Sequence, residues 1–397
     1  MRKLTARALI ATGLLFAVCW LAAPSGSFMP RLTTGYDICD YRFFISKCLA
    51  EERPYRPETI PARDACYPPI AYCLVRCFPL TPCGEDFYVS FLFLGLFAGL
   101  VFFLRQRHYK LMCAGVMVLT MPFAAGPLRG NPSAWAAGSL FVYLAWFDAE
   151  KQWKRMVAAG ALGLAVALKI TPVVCGLLYL RGCLFTPEKW PKEEMIVGAM
   201  SFVMLFAVPF MFFGGPNEVD AWLENALANA EHYSRVADFG LVPVVASLRR
   251  FMPYQALGLA VRLTTVVAVL FCLVSCFARR FYHALTLLGA ALVFLCHHDY
   301  GLVYLLPAFA CWMCEVRPGG EMRWLDTWVL SLEALMWFLV FESAICVATK
   351  EVFAFNVHLA CNGAVIMLGA LSFSQVVMSW LGCGLGKVGG DRPPAFR

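Results

Sequence analysis

The sequence predicts an all-α polytopic membrane protein, one integral domain over residues 1–397 with about twelve transmembrane helices, in a range of ten to thirteen. Three observations predict it. Hydrophobic residues fill 60% of the 397 positions and charged residues only 15%, whereas soluble domains carry about a quarter charged. Mean hydropathy is +0.67, and 33 Phe with 11 Trp exceed what a soluble core of this size hides. Apolar runs also recur at lengths suited to about 30 Å of hydrocarbon, which needs roughly 20 residues at 1.5 Å each. The same composition argues against disorder, collagen and nucleic-acid binding, and the net charge of +7 has to be read by location.

In chain order, runs ended by charge, Gly or Pro lie near Ala6–Ala23, Phe87–Leu104, Leu111–Pro127, Pro132–Phe147, Met156–Leu168, Ile170–Leu180, Met195–Phe213, Ala256–Ala278, Phe281–Cys296, Tyr300–Cys314, Leu325–Ala348 and Phe353–Leu381. The stretch from Met156 to Leu180 breaks at Lys169 and Pro172, so it reads either as two half-length helices meeting at one face or as two full spans. Met1-Arg-Lys before the first run also resembles a signal peptide, but Pro24 disfavours cleavage after Ala23 and an uncleaved first helix is expected.

The basic residues test this order independently. Arg2, Lys3 and Arg7, then Arg105, Arg107 and Lys110, then Lys151, Lys154 and Arg155, and so on through Arg181, Lys192, Arg279, Arg280, Arg317, Arg323 and the tail at 382–397, fall in alternate connections. Short cytoplasmic loops collect Lys and Arg, so both termini are expected in the cytoplasm.

Two long connections then face outward, residues 24–86 and 214–254, with amphipathic segments in each. In so apolar a chain they are the natural place for chemistry. Most of the 18 cysteines lie in spans, where a thiol is a small apolar group. Cys39, Cys48, Cys66, Cys73, Cys77 and Cys83 lie in the first outer segment, where disulfides form if the compartment is oxidising. No paired CxxC spacing suggests a metal, and no nucleotide fingerprint or cofactor motif is visible.

Directly after the first span, Asp37 and Tyr41 stand four apart and Asp40 three from Asp37, so one helical face carries all three. Either Asp37 caps a short interfacial helix or this face is reactive. Downstream come Arg53-Pro54-Tyr55, Tyr67-Pro68-Pro69 with Tyr67 held extended, the tight turn Arg129-Gly130-Asn131-Pro132, and Ala167-Leu168-Lys169-Ile170-Thr171-Pro172. On the topology above all of these face one compartment.

That ordered set, best from about Gly35 to Arg181, resembles glycosyltransferase family 87, integral membrane enzymes of the GT-C superfamily. Cys296-His297-His298-Asp299-Tyr300 resembles the family's late His-containing boundary motif, and Ala246-Ser247-Leu248-Arg249-Arg250 its outer turn ahead of a basic pair. Asp238-Phe239-Gly240 departs from the family's Asn-Gln-Ser pattern. The family includes polyprenyl-phosphate-mannose-dependent mannosyltransferases. The resemblance therefore implies a GT-C-like bundle in a bacterial cytoplasmic (inner) membrane. It would transfer a hexose, mannose first to test, from a polyprenyl-phosphate sugar donor to a glycan or glycolipid acceptor on the external face, without a metal or cofactor.

Phosphate is a good leaving group, so such a transfer needs a base at the acceptor hydroxyl and cations at the departing phosphate. Matched to the family, the base is Asp37, with Asp40 as its substitute and Tyr41 orienting it. Tyr55, Tyr67, Arg129, Asn131, Lys169, Arg249, Arg250, His297, His298, Asp299 and Tyr300 are the expected substrate contacts, and Arg262 is a further candidate at the phosphate. Lys169 has a plainer reading as a snorkelling lysine, and Arg249 and Arg250 as lipid-headgroup anchors. Glu333 and Glu342 interrupt the eleventh span, where an ionised carboxyl costs about 2.5–3.5 kcal/mol, and Glu342 is placed to meet His358 or Asn362. A polytopic transporter or lipid flippase would use such Glu and His residues as a proton relay, and that reading stands as the alternative.

Overall fold

A computed structural model describes residues 55, 67–78, 82–118, 123, 126–127, 130–185, 191–235, 239–247, 255–278, 280–296, 299–315 and 354–380. Among these the secondary structure is entirely helical. The helices are α1 (Pro69–Arg76), α2 (Pro82–Gln106), α3 (Met112–Val118), α4 (Ser133–Trp146), α5 (Gln152–Leu168), α6 (Leu177–Phe185), α7 (Lys192–Phe210), α8 (Glu218–Arg235), α9 (Leu241–Ser247), α10 (Gln255–Ser275), α11 (Phe281–Cys296), α12 (Leu306–Glu315) and α13 (Ala354–Trp380). Phe87–Gln106, Lys192–Phe210, Gln255–Ser275 and Asn362–Trp380 are long and apolar enough to cross a bilayer, and three shorter apolar stretches accompany them. The expected spans at Ala6–Ala23 and Leu325–Ala348 lie outside the described residues, and of Leu111–Pro127 the described helix is Met112–Val118.

Two expected spans are discontinuous. The stretch after Lys169 begins as a 3-10 turn, Thr171–Gly176, with Pro172 in its first turn, and becomes α-helical at Leu177. The stretch after Asp299 likewise runs as a 3-10 turn, Asp299–Leu305, before α12. At this break the chain folds back as a hairpin of α5 and the 3-10 turn with α6, neither of them among the four helices of bilayer-crossing length. Lys169 is extended at φ −155° and ψ 120°, ends α5 and reverses the chain.

Among the described residues, Arg107, Arg155 and Arg181, expected to share a side, lie at one end of the bundle. Arg107 makes two bonds to Asp148, at 2.7 and 3.0 Å, also reaches the Leu144 carbonyl, and is stacked against Phe147 and Phe281. Arg155 donates to the buried Glu194 at 2.6 Å. Arg181 and Trp380 close the C-terminal end of α10 by donating to the carbonyls of Ala278 and Phe277. Pairing Arg107, Arg155 and Arg181 with carboxylates, carbonyls or ring faces lets these cations pack at this end despite their charge.

The centre is α11, buried nearly all round and packed on α10, α12, α13 and both 3-10 turns. Around it α7 and α10 turn large apolar side chains outward, Met200, Met204, Leu259 and Val266 among them, which suits a lipid surface. Helices α2 and α4 cross where Gly95 and Gly99 face Gly138, the small-residue contact that lets membrane helices approach. A Cβ on Gly138 would lie 2.6 Å from the Gly95 carbonyl oxygen, so Gly138→Leu is expected to cost at least about 2 kcal/mol and to cut the yield of monodisperse protein. Gly258, also in a helix but open to space within 4 Å, is the control: Gly258→Ala should leave thermal stability equal or higher.

Residues 214–254, expected as one loop, carry α8 and α9, entered through Gly214 and Gly215 at φ 91° and 83°. Gly240 turns the chain between them at φ 95° and exchanges two 2.7 Å hydrogen bonds with the side-chain amide of Asn362. Asn362, expected beside Glu342, thus ties α13 to this turn; Glu342 and the His358 side chain lie outside the described residues. Of the Asp238-Phe239-Gly240 departure from the family pattern, Phe239 and Gly240 therefore fall on a structural turn, and Asp238 lies outside the described residues.

Candidate active site

At the end of the bundle opposite the basic cluster, residues from four separate stretches meet. The tight turn before α4 is built by Gly130, at φ 77°, whose N–H donates to the Pro127 carbonyl, while Asn131 N–H donates to the Gly126 carbonyl. Only glycine takes that backbone without strain. It delivers Asn131, 1% exposed, and Ser133, 0% exposed, to the interior.

The hydrogen-bond directions there are forced. The Ser133 backbone N–H lies 2.9 Å from Asn131 Oδ1 and can only donate, which fixes the amide orientation. The Ser133 hydroxyl donates to the same oxygen at 2.5 Å, so its own lone pairs accept from the Lys169 ammonium at 2.9 Å. The other arm of Asn131, Nδ2, donates to the Tyr67 hydroxyl at 2.7 Å. Tyr67, Asn131, Ser133 and Lys169 form one continuous chain of polar contacts at the mouth of the α5 hairpin. The half-buried Lys169 is held by a hydroxyl inside the protein and does more than reach toward headgroups.

Two further groups border this chain. Thr171, two residues past Lys169, lies 3.6 Å from the Cys296 thiol at the end of α11, immediately before His297 and His298. Tyr304, in the second 3-10 turn, is buried beside Thr171.

Tyr55 is fully buried against Tyr72 and Phe210. Its N–H donates to Glu218 at 3.1 Å, its carbonyl accepts from Asn225 at 2.6 Å, and its hydroxyl donates to the Tyr67 carbonyl at 3.3 Å. Tyr55 thus anchors the chain ahead of α1 to α8 and to Tyr67. Glu218 and Asn225, seven apart on α8, share its inward face. Glu224 and Glu231, on the same helix, are exposed. The Glu218 and Asn225 spacing was the available signal, but in a polar helix it looks like any other pair.

Asp37, Asp40, Tyr41, Arg129, Arg249, Arg250, His297 and His298 lie outside the described residues, and of Asp299 and Tyr300 only the backbone is described. Arg262 is exposed on the outer face of α10, among Val261, Thr265, Val266 and Val269. Of the outer cysteines, Cys73 and Cys77 are free thiols one turn apart. Burial, with Cys77 beside it, pushes the Cys73 thiol up to about 11, so it stays protonated and unreactive at neutral pH. Cys39, Cys48 and Cys66 lie outside the described residues, as does the side chain of Cys83.

No curated protein and no solved structure matches the chain. A family model does. It covers residues 65–297, thus beginning after Asp37, Asp40, Tyr41 and Tyr55 and running on past Arg181 to the first of the paired histidines. A match over more than half of the chain, on a helical bundle with membrane-length apolar helices, establishes a membrane glycosyltransferase: the chain belongs to glycosyltransferase family 87.

Proposed function

We propose that this protein moves a hexose, mannose being the first to test, from a polyprenyl-phosphate carrier to a glycan or glycolipid acceptor. The reaction takes place at the external face of a bacterial cytoplasmic membrane, with both termini in the cytoplasm. The observation that carries this reading is Lys169, held 2.9 Å from Ser133 at the bundle end opposite the clustered arginines. By the positive-inside rule the arginine end is cytoplasmic and the Lys169 end external. A cation fixed at the outer lipid boundary suits a phosphate that stays tethered to a lipid tail.

The step is one in-line displacement. The acceptor oxygen attacks the anomeric carbon, the bond from that carbon to the phosphate oxygen breaks, and polyprenyl phosphate leaves with the electron pair. Asp37 takes the acceptor's proton, oriented by Tyr41, with Asp40 as its substitute. Lys169, joined by Arg129, Arg249 and Arg250, offsets the charge growing on phosphate, and the configuration inverts. Tyr67, Asn131, His297, His298, Asp299 and Tyr300 are the further substrate contacts of this proposal, and Tyr55 anchors Tyr67.

The test uses membranes enriched in the protein and supplied with radiolabelled polyprenyl-phosphate mannose, glucose or galactose. Label is expected to move into a new glycolipid or glycan from one of these and from no nucleotide sugar. Label that changes leaflet without changing chemical partner would identify a flippase instead.

A further inference from the structure

Arg262 is the only charged residue among the 21 of α10, and it stands on the face turned away from the bundle. Phe271, nine residues further on and so on the opposite face of the helix, packs against Phe294 of α11 with 6.1 Å between ring centroids. The Lys169 chain lies on the α11 side, through Thr171 and Cys296. Arg262 is therefore on the far side of α10 from that chain, away from the phosphate position for which the sequence made it a candidate.

Among the described residues Arg262 makes no hydrogen bond or ion pair, and Val266, Val269 and Leu270 beside it are exposed. With Val261 and Thr265 they line a shallow, open groove of about 400 Å³ that runs along the helix from Arg262. Thr265 returns its hydroxyl to the Val261 carbonyl at 3.1 Å, so the groove below the guanidinium is apolar.

The two parts of this strip lie in a definite order. At 1.5 Å per residue Arg262 is roughly 10 Å in from Gln255, and a helical side chain leans toward the N-terminal turn, which carries the guanidinium back toward headgroup level. The turn it leans over holds Gly258, where nothing lies within 4 Å of a Cβ position, so a headgroup has room there. In the other direction the groove from Val261 to Leu270 runs about 13 Å, close to the roughly 15 Å of hydrocarbon in one leaflet. A cation at the boundary with an apolar channel beneath it matches, in order, the phosphate and acyl chain of a lipid standing in that leaflet.

We infer that this strip of α10 is a binding site for an anionic phospholipid of the bilayer, with its phosphate on the Arg262 guanidinium and one acyl chain along Val266, Val269 and Leu270. A guanidinium facing hydrocarbon without an anion is costly, and a phosphate offsets that cost through charge-assisted hydrogen bonds. The groove has the length of one leaflet, which suits an acyl chain better than the much longer tail of a polyprenyl carrier. The site is independent of the sugar-transfer reading.

The experiment takes the full-length protein in mild detergent and counts retained lipid by native mass spectrometry, with phosphatidylglycerol or phosphatidylcholine as the probe. Wild type is compared with Arg262→Gln, which removes the charge, with Arg262→Lys, which keeps it, and with Val266→Trp, which keeps the charge and fills the groove. Wild type is expected to retain a phosphatidylglycerol that phosphatidylcholine does not replace. Arg262→Gln and Val266→Trp should bind it roughly tenfold or more weakly, and Arg262→Lys should lose less than Arg262→Gln. Equal retention in wild type, Arg262→Gln and Val266→Trp would overturn the assignment, because the strip would then be covered by protein or left empty. Displacement of the retained phosphatidylglycerol by an equimolar amount of polyprenyl phosphate would also overturn it and give the strip to the carrier lipid. An equal loss in all three variants with a matching fall in unfolding temperature would mark a folding defect and count against the site.

Discussion

Asp37→Asn is expected to lower kcat for sugar transfer about a thousandfold, with KM for the lipid donor little changed and the protein folded and membrane-inserted. Asparagine keeps the shape of the side chain but cannot take the acceptor's proton, so the loss should fall on the chemical step. Position 37 belongs to a segment tethered at Tyr55 to Glu218 and Asn225 and at Tyr67 to Asn131, the same end of the bundle as Lys169. Asp40→Asn is the paired measurement. If Asp37 is the base, Asp40→Asn stays close to wild type; if the roles are exchanged, the two results exchange as well. Retention of activity in both would remove a carboxylate base from this segment altogether.

How much of this was legible in the sequence follows from what each signal encodes. Apolar runs and their charged ends report solvent transfer, a property of single segments, so α2, α7, α10 and α13 could be placed before any packing was known. Lys169 and Pro172 marked the hairpin for the same local reason: a proline without an N–H and a cation cannot lie mid-span without interrupting it. Whether the break gave two half-helices or two crossings depended on packing with α4 and α11, which no segment contains. The Gly130 turn was readable because its backbone admits little but glycine.

Ser133, Glu218 and Asn225 were not readable, and for one shared reason. Each matters through a partner far away in the chain, as with Ser133 and Lys169 or Tyr55 and Glu218, and none is unusual where it stands. The arginines show the same split. Their side of the bundle was written in their spacing, whereas the seating of Arg107 against Asp148, Phe147 and Phe281 was not.

Lys169→Met carries the second large effect. Methionine has nearly the length and apolar stem of lysine and lacks the charge, so the α5 hairpin is expected to fold with a modest change in thermal stability. Transfer is expected to fall about a hundredfold to a thousandfold, the usual loss when one preorganised donor to a developing anion is removed. Lys169→Arg should recover only part of this. A guanidinium is planar and wider than an ammonium and cannot repeat a single-point bond to the Ser133 hydroxyl at 2.9 Å. Ser133→Ala separates position from charge: the cation remains but its internal acceptor is gone, so the loss should be smaller than in Lys169→Met. A lysine that only reached toward lipid headgroups would make all three variants nearly silent in transfer. The graded order, Met below Arg and Arg below Ser133→Ala, arises only if the ammonium is held in place for an anion within the site.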